Sequence, residues 1–176
     1  IASISLILSD GAGAFAAPVQ VTTGDGPRSL LVMDLNNDTR LDLVTCDRES
    51  DALSVFMNDA EAYFRPRVSV PTGGNPRMAL GKDLDNDGWV DLVVSNPGSS
   101  NLGVHMGAES GTFDPVIFIP TAAFPTRIAL GDYTGTLVAG VKIGAGSLLA
   151  LCSPAGSGTP HTDCDCWYSA QPEPAR

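Results

Sequence analysis

An all-β chain is predicted, a β-propeller of four-stranded antiparallel blades, here a partial propeller of about three and a half repeats. Three observations predict it. First, Asp34-Leu35-Asn36-Asn37-Asp38-Thr39-Arg40-Leu41-Asp42 returns 49 residues later as Asp83-Leu84-Asp85-Asn86-Asp87-Gly88-Trp89-Val90-Asp91. Second, other columns keep the same period: Phe15, Phe64 and Phe113; Pro27, Pro76 and Pro125; Ile4, Leu53 and Leu102. Third, no apolar run of useful length has a 3.6-residue period, whereas short runs rich in β-formers alternate with Gly, Pro and Asp turns.

The elements follow in order. Ile4 to Leu8 lies over Leu53 to Met57 and reads as a strand, not as the apolar part of a signal peptide. Ser29 to Met33 is apolar and extended, and the acidic loop follows it. Leu41 to Cys46 is a second strand and Leu53 to Met57 a third. Phe64 to Val70 is a fourth, placed at an edge because Pro66 interrupts it. Met78 to Leu80, Val90 to Ser95, Leu102 to Met106 and Val116 to Ile119 repeat the order. The third unit opens at Pro125, but Tyr133-Thr134-Gly135-Thr136-Leu137 replaces the acidic loop. Its match resumes at Leu148, which implies a loss of three residues. Residues 1–24 therefore end a truncated blade. Residues 25–73 and 74–122 are blades with an acidic loop, 123–160 a degenerate blade without one, and 161–176 an irregular tail. Because residue 1 falls inside a unit, the chain is expected to be a piece of a longer protein.

The loop spacing points to a hard cation. Asp34, Asn36, Asp38 and Asp42, and then Asp83, Asp85, Asp87 and Asp91, stand at loop positions 1, 3, 5 and 9. Position 7, Arg40 or Trp89, can add a backbone carbonyl. Calcium takes six to eight such oxygens at roughly 2.3–2.6 Å, so about two Ca2+ sites are predicted. Position 6 requires a sharp turn, which Gly88 supplies and Thr39 does not. With one carboxylate more as well, the second site is expected to bind more tightly. An EF-hand is the competing reading, but its twelfth position needs Glu, and here it is Thr45 or Val94. Asp and Asn also favour plain polar turns, yet two loops in register speak for metal. The third unit lacks carboxylates at positions 3, 5 and 9 and is expected to hold none.

Composition bounds the rest. Charged residues make up 17%, with 19 Gly and 13 Pro, which suits short strands joined by turns. The net charge of −10 argues against nucleic acid, which needs a basic face. Seven of the carboxylates sit in the two loops. No stretch is long and apolar enough to span a membrane. Of the four cysteines, Cys46 takes the place of Ser95 and reads as a lone strand residue, while Cys152, Cys164 and Cys166 lie near the tail. His105 takes the place of Phe56 and reads as a strand residue. His161 with Cys164 and Cys166 has no standard zinc spacing. Arg28, Arg77 and Arg127 are expected to pair with nearby acids.

The segments Gly74-Asn75-Pro76 through Asp83–Val94, with Gly111-Thr112-Phe113, resemble FG-GAP/VCBS-type β-propeller repeats, the family of the integrin α-subunit head. Gly26-Pro27 through Asp38, with Asp42-Leu43-Val44, carries the same resemblance in the first unit. It implies calcium between the first two strands of a blade and a seven-bladed parent. It further implies an extracellular, cell-surface or periplasmic module with an adhesive role, contacting an extracellular protein or a carbohydrate. The module itself is read as no enzyme. The alternative is an accessory or catalytic propeller of a secreted polysaccharide-degrading enzyme, for which paired loop carboxylates would mimic a glycosidase dyad.

Overall fold

The 49-residue period becomes a series of hydrogen-bonded sheets in the computed structural model, which describes residues 1–60, 63–85, 87–121, 124–132, 142–143 and 147–152. Strands β1 (Ser3–Leu6) and β2 (Val19–Thr22) form an antiparallel pair. The first full sheet has β3 (Pro27–Met33), β4 (Asp42–Asp47), β5 (Ala52–Phe56) and, after a small hairpin of β6 (Asn58–Asp59) and β7 (Tyr63–Phe64), β8 (Val68–Pro71). Its order is β3-β4-β5-β8. The second sheet repeats this with β9 (Met78–Lys82), β10 (Asp91–Asn96) and β11 (Asn101–His105). The hairpin of β12 (Gly107–Ala108) and β13 (Thr112–Phe113) follows, then β14 (Ile117–Pro120). A third sheet holds β15 (Arg127–Asp132), β16 (Lys142–Ile143) and β17 (Ser147–Cys152) in the order β15-β17-β16.

The register repeats with the sequence. Leu43 faces Phe56 and Val44 faces Val55 in the first sheet; Leu92 faces His105 and Val93 faces Val104 in the second. Ile4 faces Val21 as Leu53 faces Val70, so β1 and β2 correspond to the outer pair of a sheet. The described residues contain no α-helix and no helix long and apolar enough to cross a membrane. The chain is thus all-β with antiparallel sheets, and its described residues form no closed ring.

Packing explains why β4 and β10 carry consecutive apolar residues, Leu43-Val44 and Leu92-Val93-Val94, instead of alternating. Every residue of both strands is buried, as expected for a strand covered on two faces. Leu92 and Val94 point into a core with Leu35 of the first acidic loop and Val44, Cys46, Leu53 and Val55 of the first sheet. Val93, between them, points the other way, toward Leu102, Val104 and Ile128. One strand therefore serves two cores, and β9 lies against β3 on one side and β15 on the other. A sheet of this kind is stable only when stacked, because each buried Val or Leu side chain contributes roughly 1.5–3 kcal/mol. The remaining face of the first sheet is covered only in part by the β1–β2 pair. Leu30, Val32 and Leu41 stay about half exposed, and Val32 and Leu41 line a cavity of about 640 Å³ that also touches Leu6, Leu43 and Tyr63.

Three sequence expectations are corrected. The predicted fourth strand, Phe64 to Val70, is split. Phe64 pairs with Asn58 in the small hairpin, and the sheet strand starts only at Val68. Pro66 lies in the gap and has no N–H to donate. In the third unit, Ser147–Cys152 pairs directly with β15, the place that β4 and β10 take beside β3 and β9. The segment before it is therefore longer than in the other units, and not three residues shorter. Cys46 is buried, and burial raises its thiol pKa to about 11, so it stays protonated and inert. The third correction concerns Arg28 and Arg77, which make no ion pair with any described residue. The loop at 133–137 and the tail with His161, Cys164, Cys166 and Trp167 lie outside the described residues.

Candidate metal centre

Both acidic loops connect the first and second strands of their sheets, at the same end of the stack. The Asn37 side-chain amide donates to the carbonyl of Gly88, which ties one loop to the next. Each loop is wound by its own side chains. In the second, Asp83 Oδ2 accepts from the Gly88 N–H at 3.0 Å, Asp85 Oδ1 from Asp87 at 3.1 Å, and Asp87 Oδ1 from Trp89 at 2.8 Å. In the first, Asp34 accepts from Asp38 at 3.1 Å and Thr39 at 2.7 Å, and Asn36 Oδ1 from Asp38 at 3.2 Å. Asp and Asn turn the backbone in this way because a short oxygen-bearing arm reaches an N–H a few residues ahead.

Position 9 does more than the sequence indicated. Asp91 is fully buried, and its two oxygens accept from the N–H groups of Leu84 and Gly107, each at 2.7 Å. Asp42 does the same with Leu35 at 2.8 Å and Asn58 at 2.7 Å. Each carboxylate pins its loop to the small hairpin beyond the third strand. Burial raises the pKa of both, and the neighbouring loop carboxylates add to the rise, against the lowering effect of the two N–H donors.

The two loops then diverge. Asp83, Asp85 and Asp91 each present one oxygen within 4.8 Å of the others. Two oxygens on one calcium lie at most about 5 Å apart, given bonds of roughly 2.3–2.6 Å, so these three fit a single ion. The donors are all oxygen, which selects a hard cation over zinc or copper. Among the described residues no other three acidic groups gather so closely. Asp87 is exposed and outside the trio. In the first loop, the Arg40 guanidinium pairs with Asp38 Oδ2, and the Arg40 N–H reaches Asp38 Oδ1 at 2.9 Å. Asp38 is held below the ordinary carboxylate pKa, first by that N–H and then by the Asn36 amide and the guanidinium charge. Arg40 thus supplies a cation of the chain's own where Trp89 in the second loop supplies none.

The sharp turn at position 6 forms in both loops, contrary to the expectation for Thr39, but at a different cost. Thr39 takes φ 70° and Gly88 φ 94°. A β-branched residue in the left-handed region is strained by roughly 1–2 kcal/mol. Thr39→Gly is expected to raise stability by roughly 0.5–1 kcal/mol in urea unfolding, after the extra entropy of a glycine chain; an unchanged midpoint would refute the strain.

His105, one of two histidines, is fully buried and stacks edge-on against Phe113 at 6.4 Å, as Phe56 does against Phe64 at 6.1 Å. It is a strand residue, as its alignment with Phe56 predicted. Sequence reasoning missed Asp47, fully buried, whose carboxylate takes the hydroxyls of Thr45 (2.7 Å) and Ser54 and the Gly24 N–H at 3.0 Å. A polar residue at the end of the second strand in both units, Asp47 and Asn96, was the available signal. It also missed Arg48 and Phe124, which the period does not mark.

Residues 83–137 match the family model of the FG-GAP-like repeat, a non-catalytic repeat unit. The span begins at the first carboxylate of the second loop and runs into the third sheet. No curated protein and no solved structure matches the chain.

Proposed function

We propose that the chain is a calcium-binding run of β-propeller blades that serves as an extracellular ligand-binding scaffold. The observation that carries this reading is the convergence of Asp83, Asp85 and Asp91 within 4.8 Å, inside a segment that matches an FG-GAP-like repeat. Asp83, Asp85 and Asp91 are the side-chain ligands of the stronger site, with Asp87 joining on loop adjustment and Trp89 giving its carbonyl. Asp34, Asn36, Asp38, Asp42 and the Arg40 carbonyl form the weaker one, because calcium there must displace the Arg40 guanidinium from Asp38. The ion neutralises carboxylates that otherwise repel, and by binding the folded state it stabilises it. Oxygen sites in extracellular modules have Kd of about 10⁻⁴–10⁻³ M, which millimolar external calcium fills. Ligand recognition then falls to loops on the rigid sheets.

Calorimetric titration with calcium after chelation tests this. The expected result is two binding events of unequal affinity and a rise in Tm. At ten times Kd, one filled site adds about 1.4 kcal/mol. No heat and no thermal shift would remove the reading. Asp85→Ala is expected to abolish the stronger event alone.

A further inference from the structure

At the end of the strands opposite the acidic loops, Arg28, Arg48, Arg77 and Phe124 line a depression of about 410 Å³. Arg28 stands at the start of β3 and Arg77 just before β9, so neighbouring inner strands bring them together. Arg48 follows β4, and Phe124 precedes β15. All three arginines are exposed, and none pairs with a carboxylate of the described residues. Arg48 donates from Nε to Asn75 Oδ1 at 3.1 Å, which fixes its guanidinium toward the depression's rim. Acids lie at this end of the strands too, among them Glu49 and Asp51, yet none makes an ion pair with the three arginines among the described residues. Asp51 is engaged by the Asn75 N–H at 2.8 Å, and Glu49 lies beside Gly26 without an ion pair to any of the three. Phe124 is 62% exposed, an apolar face left in water next to three cations.

We propose that this depression binds an acidic saccharide, its carboxylate or sulfate held by Arg28 and Arg77 and its ring laid on Phe124. Three guanidinium groups around one depression, with no ion pair among the described residues, can hold an oxyanion, and the planar fork of Arg suits both carboxylate and sulfate. The volume lies in the range of small-ligand sites, about 300–1,000 Å³. The flat C–H face of a pyranose fills the place beside an exposed phenyl ring, which an acidic peptide does not. Much of the chain's net charge of −10 comes from the seven carboxylates of the acidic loops. Strand β3 has seven residues and spans about 20 Å at roughly 3.3 Å per residue. The acidic loops at its far end are thus more than two Debye lengths away at about 8 Å each. This deepens the ligand-binding reading above but uses none of the calcium residues.

The test is calorimetry on the whole chain with a heparin-derived hexasaccharide and with tetragalacturonate. Maltohexaose and hexaglutamate serve as controls, all in calcium and again in chelator. Binding of either acidic saccharide, weakened by salt and absent for maltohexaose, is expected. Arg28→Ala and Arg77→Ala should each weaken it about tenfold or more, the usual loss for one charge-assisted contact. Phe124→Ala should weaken it severalfold while leaving hexaglutamate unchanged. All three side chains are exposed, so Tm should hold and report intact folding. The stronger of the two acidic probes identifies the oxyanion. Retained affinity in chelator, and in Asp85→Ala, separates this site from the calcium reading. The proposal is overturned if no acidic saccharide binds at millimolar concentration or if the Arg variants stay within twofold of the parent. It is equally overturned if maltohexaose or hexaglutamate binds as tightly as the acidic saccharides.

Discussion

Asp91→Ala is expected to cost roughly 2–5 kcal/mol of stability even in calcium-free buffer. The carboxylate is fully buried and takes the N–H groups of both Leu84 and Gly107 at 2.7 Å. Alanine leaves both donors buried without a partner, at about 1–3 kcal/mol each. The gain is smaller and of opposite sign, since the variant no longer holds a buried carboxylate near Asp85 and Asp87. With two buried donors orphaned, the loss dominates. Asp85→Ala is the contrast. Asp85 is exposed and accepts one N–H at 3.1 Å, so its loss falls within about 0.5 kcal/mol without calcium, as surface changes usually do. Both variants lose calcium binding at the second loop. Urea unfolding with chelator and with calcium separates the two effects. If Asp91→Ala and Asp85→Ala unfold alike in chelator, position 9 is only a ligand and the pinning role is wrong.

That dual role shows where the sequence was legible and where it was not. The 49-residue period located β3 to β5 and β9 to β11, because each is a long enough run of β-formers between turns. It placed His105 in the core through Phe56. The loop spacing brought out the same carboxylates that converge in the structure, Asp83, Asp85 and Asp91. The small hairpins at 58–64 and 107–113 were invisible, because two-residue strands have no alternation to read. They are the elements that receive the position-9 carboxylates through the N–H groups of Asn58 and Gly107. The capture of Asp38 by Arg40 was equally hidden. A side chain two residues along a tight loop can turn inward or outward, and only the folded loop decides. The arginines fared worst. Nearby acids made pairing the natural expectation, yet the hydrogen bonds of the turns had already engaged Asp47 and Asp51.

His105→Phe is expected to make the protein less sensitive to acid, by about 3 kcal/mol between pH 6.5 and 4. Burial lowers the His105 pKa from 6.5 to about 4. The neutral imidazole is the form that the fold accepts. Above pH 6.5 the ring is neutral in both states and its contribution to stability is complete. As pH falls below 6.5, the unfolded chain takes up a proton that the folded chain refuses until about pH 4, so stability drains away across that window. A shift of that size, at 1.36 kcal/mol per unit, gives the figure quoted. The raised pKa values of Asp42 and Asp91 act in the opposite sense, since a folded carboxylate that protonates early favours folding in acid. They are common to parent and variant, so the difference between the two isolates the histidine. Phenylalanine fits because Phe56 occupies the equivalent place, with Phe64 where Phe113 stands. At pH 7 the variant loses the contact of His105 Nε2 with the Thr72 hydroxyl at 3.2 Å, worth about 1 kcal/mol. It also removes Nδ1, which is buried with no partner, so the two proteins should be nearly matched there. Below pH 5 the variant should be the more stable. Parallel stability curves from pH 7 to 4 would show that His105 is hydrated in solution and does not share the buried position of Phe56.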